Sequence, residues 1–316
     1  MKILLTGASG LLGSNLAYSW RRHEILGLYH THEWQLDGIV TKKADLLSPG
    51  DVKAAVEEFA PDVIVHSAAI ADVDQCEVDC GLAYQTNVVA TKNLIAAAGQ
   101  ESKVIYISTD LVFDGIKGQY RESDPVHPIN VYGKTKYEGE GEALRHRNTM
   151  VARTNFFGWN VQDKLSLAEW VVHELSQKKR IKGFTDAVFC GIYTLELARV
   201  LEAAIERDLR GVYHCVSGDA MSKYDFACLL ASLFHLPRDL IAPASIEDFP
   251  FKAKRAKNLW LNTDKLRGAH GQSLPTMKES LEAFKRDARD GVANGLNVCS
   301  AKRNRFCVPA FYGKDV

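Results

Sequence analysis

Two side chains with complementary acid–base chemistry stand one helical turn apart in NVYGKTKYEGEGEAL, residues 130–144: the Tyr132 phenol and the Lys136 ammonium. Positions i and i+4 share a helix face, so the spacing sets a proton donor beside a cation able to tune it. A free tyrosine titrates near ~10, high for acid–base work at neutral pH, and a neighbouring ammonium lowers that value. The same spacing suits an ordinary amphipathic helix end, so the pair needs company. TGASGLLGSN supplies it, with Gly7, Gly10 and Gly13 directly after an apolar run and at the opening of a helical stretch. Gly7 permits a tight turn, Gly10 lets the backbone approach a pyrophosphate, and Gly13 lets helix and strand pack closely. Free N–H groups and the dipole at a helix start favour phosphate there. The expectation is a dinucleotide held along Gly7, Ser9, Gly10, Leu11, Leu12 and Gly13.

Sites that prefer NAD usually end the second strand with an acid that binds the ribose hydroxyls. Here that place holds Tyr29, followed by His30. With no carboxylate to repel a 2′-phosphate, NADP is the expected cofactor and NAD the alternative. Arg21 and Arg22 lie nearby in sequence, where the preceding helix is equally able to expose them. Asp45 and Leu46 fall where a third strand would end, beside the adenine; a turn or helix-capping aspartate is the competing reading of Asp45.

These residues need a scaffold. MKILLTG, HEILGLY, VIVHSAA, KVIYIST and TMVARTNFF read as strands, most of them continuous apolar runs, and alternate with helical stretches. That pattern predicts an α/β fold: a Rossmann-type, doubly wound parallel sheet covered on both faces. After about residue 156 helical segments at 166–178, 194–206, 222–234 and 276–288 predict a smaller, mainly helical substrate domain. The expected division is 1–156 for the dinucleotide domain, 157–286 for the substrate domain and 287–316 for a tail, with 184–206 as the stretch that would pack back on the first domain.

The 316 residues are a length for roughly two domains of ~150 residues. Lysine plus arginine equals aspartate plus glutamate at 39 each, which argues against bulk nucleic-acid or anionic-membrane binding. No run approaches the ~20 apolar residues of a membrane span, and no signal segment is read at the start, so a cytoplasmic protein is expected. Seven scattered cysteines, Cys76, Cys80, Cys299 and Cys307 among them, have no zinc spacing and read as free thiols.

Taken together, the glycine loop, HSAAIADVDQCE, STDLVFDG and Tyr132-x-x-x-Lys136 resemble the extended short-chain dehydrogenase/reductase superfamily. STDLVFDG followed by YGKTKYEGE is similar to its dTDP-4-dehydrorhamnose reductase family, over about residues 1–286. The resemblance implies Tyr132 as proton donor, Lys136 as the group that tunes it and holds the nicotinamide ribose, and Thr109 as hydrogen-bond partner of a substrate carbonyl, with Ser108 as substitute. It implies that the backbone at Ala68 and Ala69 lines the cofactor pocket. Asn87 would open the following helix and orient a water or the lysine. Leu111 stands where related dehydratases carry a catalytic glutamate, which leaves reduction of a nucleotide-linked 4-keto-6-deoxy sugar.

Departures from the family bear on the substrate. Leu111 replaces a common tyrosine, and Asn155 and Phe156 replace a common Ser-Trp pair. Phe156, Phe157 and Trp159 are open to stacking on the ligand or to plain core packing. Lys254 and Arg255 suit the substrate diphosphate or a solvated basic loop. His66, in a buried strand, reads as a satisfied core residue. Asn15 occupies the place of a magnesium-binding acid, so no metal is expected. The expected partner is a small nucleotide sugar, with no nucleic acid or membrane and a monomer or homodimer as the assembly. The same family includes the regulatory subunit of methionine adenosyltransferase, which implies a non-catalytic NADP-binding role as the alternative.

Overall fold

The computed structural model describes residues 1–271 and 273–289. In chain order the first part runs β1 (Lys2–Thr6), α1 (Leu11–Ser19), β2 (Glu24–Tyr29), β3 (Val40–Lys43), α2 (Pro49–Phe59), β4 (Val63–His66), α3 (Val73–Val78), α4 (Cys80–Tyr84), α5 (Ala90–Ala97), β5 (Lys103–Thr109), α6 (Val131–Ala143) and β6 (Thr149–Thr154). Every position of β4, β5 and β6 is buried, as strands covered by helices on both faces must be.

The sheet is parallel and, among the described residues, seven-stranded, in the order Gly211–His214, β6, β5, β4, β1, β2, β3. The chain winds outward from β1 to β3 and then returns to β4 beside β1. That reversal opens a crevice at the carboxyl ends of β1 and β4, where such sheets take ligands.

Helix starts follow local chemistry. Ser48 caps α2 by accepting from the Asp51 N–H, with Pro49 in the first turn. Asn130 caps α6 by accepting from the Gly133 N–H at 2.8 Å. Both satisfy donors that a helix end leaves free.

The later helices are α7 (Leu167–Ser176), α8 (Thr194–Glu206), α9 (Lys223–Leu233), α10 (Asp264–His270) and α11 (Met277–Arg289). Four of them match the sequence expectation within two residues at each end. The Trp20 indole N–H at the end of α1 donates to the Ala198 carbonyl of α8 at 3.2 Å. One apolar cluster joins β1, α1, α8, α9 and α11, so the core runs through both parts of the chain.

Other features were not foreseen. The strand Gly211–His214 joins the sheet edge, four residues too short to show a period. The second part also carries small sheets, one of them formed by Met221–Ser222, Val188–Phe189 and Asn258–Leu259. The tail expected beyond residue 286 begins inside α11, and from residue 290, Cys299 and Cys307 included, lies outside the described residues. Among the described residues no helix is long and apolar enough to cross a membrane.

Candidate active site

The glycine loop turns sharply between β1 and α1. Gly7 has φ +66°, and a β-carbon there would come within 2.8 Å of the Ala68 backbone; one on Gly13 would come within 2.2 Å of the Gly7 carbonyl oxygen. The loop therefore presses on the Ser67–Ala68 segment on one side and on its own helix on the other. Ser67 Oγ donates to the Thr6 carbonyl at 2.7 Å and the Ala68 N–H to Thr6 Oγ1 at 3.3 Å, which fixes that segment to the end of β1. Gly10 is the N-cap of α1 and supplies no capping side chain, and the first turn holds no acid. The N–H groups of Leu11 and Leu12 thus open onto the crevice with the helix dipole behind them, a cradle that fits a pyrophosphate. Ser9 is buried and its carbonyl accepts from Gln162 Nε2 at 2.7 Å. Gly13→Ala is expected to cost about 1–3 kcal/mol of stability, the usual range for overpacking. Urea denaturation measures it, and an unchanged midpoint would mean that the loop yields without strain.

At the carboxyl end of β2, Tyr29 is half-buried and His30 exposed. Tyr29 lies in register with Lys43, the exposed last residue of β3. Lys42 is taken up by Glu58 at 2.5 Å. Arg21 and Arg22 precede β2 and so stand at the opposite end of the sheet, where Arg22 pairs with Glu202 at 2.8 Å; exposure by the preceding helix is the reading that fits them. Asp45 follows β3 and its Oδ1 accepts from the Leu47 N–H at 2.9 Å, a turn-forming bond. Leu46 beside it packs against the cluster under β1 and β4.

Thr109 closes β5, and its Oγ1 accepts from the Leu111 N–H at 3.2 Å and donates to Asp110 Oδ1 at 3.1 Å. α6 brings Tyr132 to it. Burial pushes the Tyr132 phenol well above its ordinary value; a hydrogen bond with Thr109 opposes the rise and the Asp110 charge adds to it. This corrects the expectation that Lys136 lowers Tyr132. Lys136 is itself buried and carried down to about 7, with Glu140 opposing. A cation that loses charge to desolvation has little to lend, so burial of the phenol prevails. The Lys136 ammonium lies over the Tyr106 ring, 4.2 Å from its centroid.

Asn87 also departs from expectation. It lies inside a π-helical turn, Gln85–Val89, and does not open α5. Its Nδ2 donates to Thr135 Oγ1 at 3.0 Å and to the Ile70 carbonyl at 3.3 Å, while its Oδ1 accepts from the Ile70 N–H at 3.0 Å. The amide ties the β4–α3 loop to α6. His66 is a core residue as read: its ring nitrogens bond Thr6 Oγ1 at 2.7 Å and Thr91 Oγ1 at 3.0 Å, and burial holds it neutral at about 3.

On the other wall, Asn155 Nδ2 donates to Asp110 Oδ2 at 2.7 Å. Burial pushes the Asp110 carboxyl up, while Asn155, Thr109 and Lys223 pull it down. Phe156 is half-buried and packs against the main core, and Phe157 and Trp159 are buried in it. Lys254 is exposed, and its carbonyl accepts from Asn130 Nδ2 at 3.1 Å. Arg255 Nη2 pairs with Asp74 at 2.9 Å. The sequence reading passed over Asp74, Lys223 and Lys43. A basic residue ending the third strand was the signal for Lys43.

Among the described residues no three His, Cys, Asp or Glu side chains gather as a metal site. Asn15 is buried, donating to the carbonyls of Leu11 and Trp159 and accepting from Thr194.

The chain matches known proteins over most of its length. The model of the RmlD substrate binding domain matches residues 1–289. The chain is 32% identical over 315 residues to the methionine adenosyltransferase 2 subunit beta of Danio rerio, covering 91% of this chain and 92% of the relative. It is 31% identical over 290 residues to the dTDP-4-dehydrorhamnose reductase of Aggregatibacter actinomycetemcomitans, covering 85% and 93%. The solved structure of a dTDP-4-dehydrorhamnose reductase from Bacillus anthracis in complex with NADP superposes with a TM-score of 0.79 at 26% identity, covering 90% of this chain and 99% of that one.

Proposed function

Since the chain belongs to the RmlD substrate binding domain family of extended short-chain dehydrogenases/reductases, we propose that it is an NADPH-dependent reductase of a nucleotide-linked 4-keto-6-deoxy sugar. The observation that carries this reading is the hydrogen bond between Tyr132 and Thr109 at the carboxyl edge of the sheet that also bears the glycine cradle, with Lys136 one turn further along α6. A bound nicotinamide dinucleotide supplies the hydride that reduces the ketone carbon. Gly7, Ser9, Gly10, Leu11, Leu12 and Gly13 would hold its pyrophosphate, the backbone of Ala68 and Ala69 would line its pocket, and Tyr29, His30, Asp45 and Leu46 would border its adenosine end.

The chain's own task at the reacting end is to manage a proton. Hydride addition turns a ketone oxygen into an alkoxide, a far stronger base than a phenolate. Tyr132, with its pKa raised by burial, stays protonated across the neutral range and is a proper donor to such a base. Thr109 would turn its hydroxyl from Asp110 to the substrate oxygen, and Asn155 would keep Asp110 satisfied meanwhile. Lys136 would hold the nicotinamide ribose. Phe156, Lys254 and Arg255 would contact the rest of the substrate. An NADPH-oxidation assay over a panel of nucleotide-linked 4-keto-6-deoxy sugars tests the reading; no turnover with any of them would overturn it. A cytoplasmic enzyme of polysaccharide precursor synthesis fits this chemistry.

NADPH is expected to bind more tightly than NADH, because Tyr29 carries no charge against a 2′-phosphate and Lys43 stands beside it in register. Tyr29→Asp should shift the preference toward NADH. Paired dissociation constants at equal salt measure both, and tighter NADH binding by the unaltered protein would defeat the assignment.

A second reading has its own support. The 32% identity to methionine adenosyltransferase 2 subunit beta favours an NADP-binding regulatory subunit. Co-purification with a methionine adenosyltransferase, together with a failure to oxidise NADPH on any sugar of the panel, would select it.

A further inference from the structure

Three polar ties cross from the second part of the chain to the walls of the catalytic helix. Arg255 Nη2 pairs with Asp74 Oδ2 at 2.9 Å, the Ala253 N–H donates to Asp74 Oδ1 at 2.9 Å, and the Lys254 carbonyl accepts from Asn130 Nδ2 at 3.1 Å. Asp74 belongs to α3, and Asn130 is the N-cap of α6, two residues before Tyr132. The strap 253–255 is thus pinned across the front of the site, and one carboxylate makes two of its three ties.

The cations at this place are under-used. Arg255 stacks its guanidinium over Phe251 at 4.5 Å, yet its Nη1 is buried with no hydrogen-bond partner. A buried donor without a partner is costly and calls for an explanation. Lys223 is half-buried with its ammonium 4.7 Å from the Phe189 ring centroid; it is drawn to the Asp110 charge but, among the described residues, forms no close salt bridge.

The small sheet brings the two together. Ser222 and Asn258 both lie in register with Val188. Lys223 follows the first and Arg255 precedes the second, so both stand at the same end of the sheet, next to Asp110. Asp110 itself is engaged by Asn155 and Thr109. What remains is a lysine without a close ion pair beside an arginine that has a spare buried N–H and one partly exposed carboxylate partner, Asp74.

We propose that Lys223 and Arg255 form a two-cation seat for a phosphoryl anion, and that Asp74 is its resident counter-anion, latching the strap 253–255 until that anion arrives. The proposal rests on the nucleotide-sugar reading and names how such a substrate is admitted. A guanidinium and an ammonium together suit phosphate oxygens. The Asp74–Arg255 pair is partly exposed, with side-chain exposures of 32% and 21%. An ion pair open to water is worth little, so a doubly charged anion can displace it. Displacement frees Asp74, loosens the Ala253 tie and releases the strap from α3.

The test is calorimetric titration of thymidine diphosphate into the full-length protein held saturated with NADPH, so that the glycine cradle is already filled. Lys223→Met is expected to weaken binding by about tenfold or more, the scale of one lost hydrogen bond to a charged group. Asp74→Asn keeps an acceptor for the Ala253 N–H but removes the competing charge, and is expected to tighten binding by about threefold or more. Effects of opposite sign cannot both come from general loss of structure. The same two shifts with inorganic pyrophosphate would support the seat as phosphoryl-specific without the nucleoside. No thymidine diphosphate binding, an unaffected Lys223→Met, or weaker binding by Asp74→Asn would overturn the proposal. The functional reading fails separately: shifts as expected with no sugar reduced would leave the seat standing and sink the reductase, and the reverse would spare the reductase alone.

Discussion

Tyr132→Phe is expected to lower turnover by about 10²–10⁴-fold, the range for loss of a general acid, while leaving NADPH affinity nearly unchanged. The phenyl ring keeps the packing of the phenol and removes only the transferable proton. Steady-state kinetics on a reducible nucleotide sugar gives the first quantity, and fluorescence titration with NADPH the second. A fall in turnover with intact cofactor binding separates proton donation from damage to the site. Full activity in this variant would return Tyr132 and Lys136 to the rank of an ordinary helix end. The pH profile carries a further mark. Because burial raises the phenol and does not lower it, reduction is not expected to fall off as pH rises from 7 to 9 through loss of the Tyr132 proton. Any decline in that window belongs to Lys136, which burial brings down to about 7.

The sheet was legible because its strands are continuous apolar runs, and the glycine loop because its spacing answers a backbone requirement that the φ of Gly7 and the crowding at Gly13 make concrete. Thr109 and Tyr132 were legible as types at a spacing. Their electrostatics were not, because the shift of a phenol depends on how dry its surroundings are, and nothing in NVYGKTKYEGE states that. Asn87 misled for a related reason. An asparagine before an apolar helical run looks like a cap, and only the packing of Ile70 and Thr135 around it shows where its amide is spent. Asp74 and Lys223 lie 149 positions apart and acquire meaning only when the small sheet and α3 bring their neighbours to one place. Such long-range meetings are what a single sequence hides.

The largest stability effect is expected at Glu140, one turn beyond Lys136 on the same helix face. Its carboxylate accepts from Arg153 Nε at 2.9 Å and Nη2 at 2.7 Å, and from Ser108 Oγ at 2.5 Å. All three residues are buried. These bonds bolt α6 to β5 and β6, and so fix the height at which Tyr132 meets Thr109. Glu140→Gln leaves the Arg153 charge buried without its counter-ion, and breaking a buried pair from one side costs about 3–5 kcal/mol. Urea unfolding followed by circular dichroism measures it; a loss below about 1 kcal/mol would mean that solvent reaches Arg153 and the pair behaves like a surface one. Removing both charges is the informative control. Glu140→Leu combined with Arg153→Met should recover much of the lost stability, since a buried pair replaced by apolar groups of similar volume is often near neutral. Turnover should not recover with it. The Glu140 charge also holds the Lys136 pKa up against burial, so the double variant keeps the helix seated while its lysine loses the proton more readily than before.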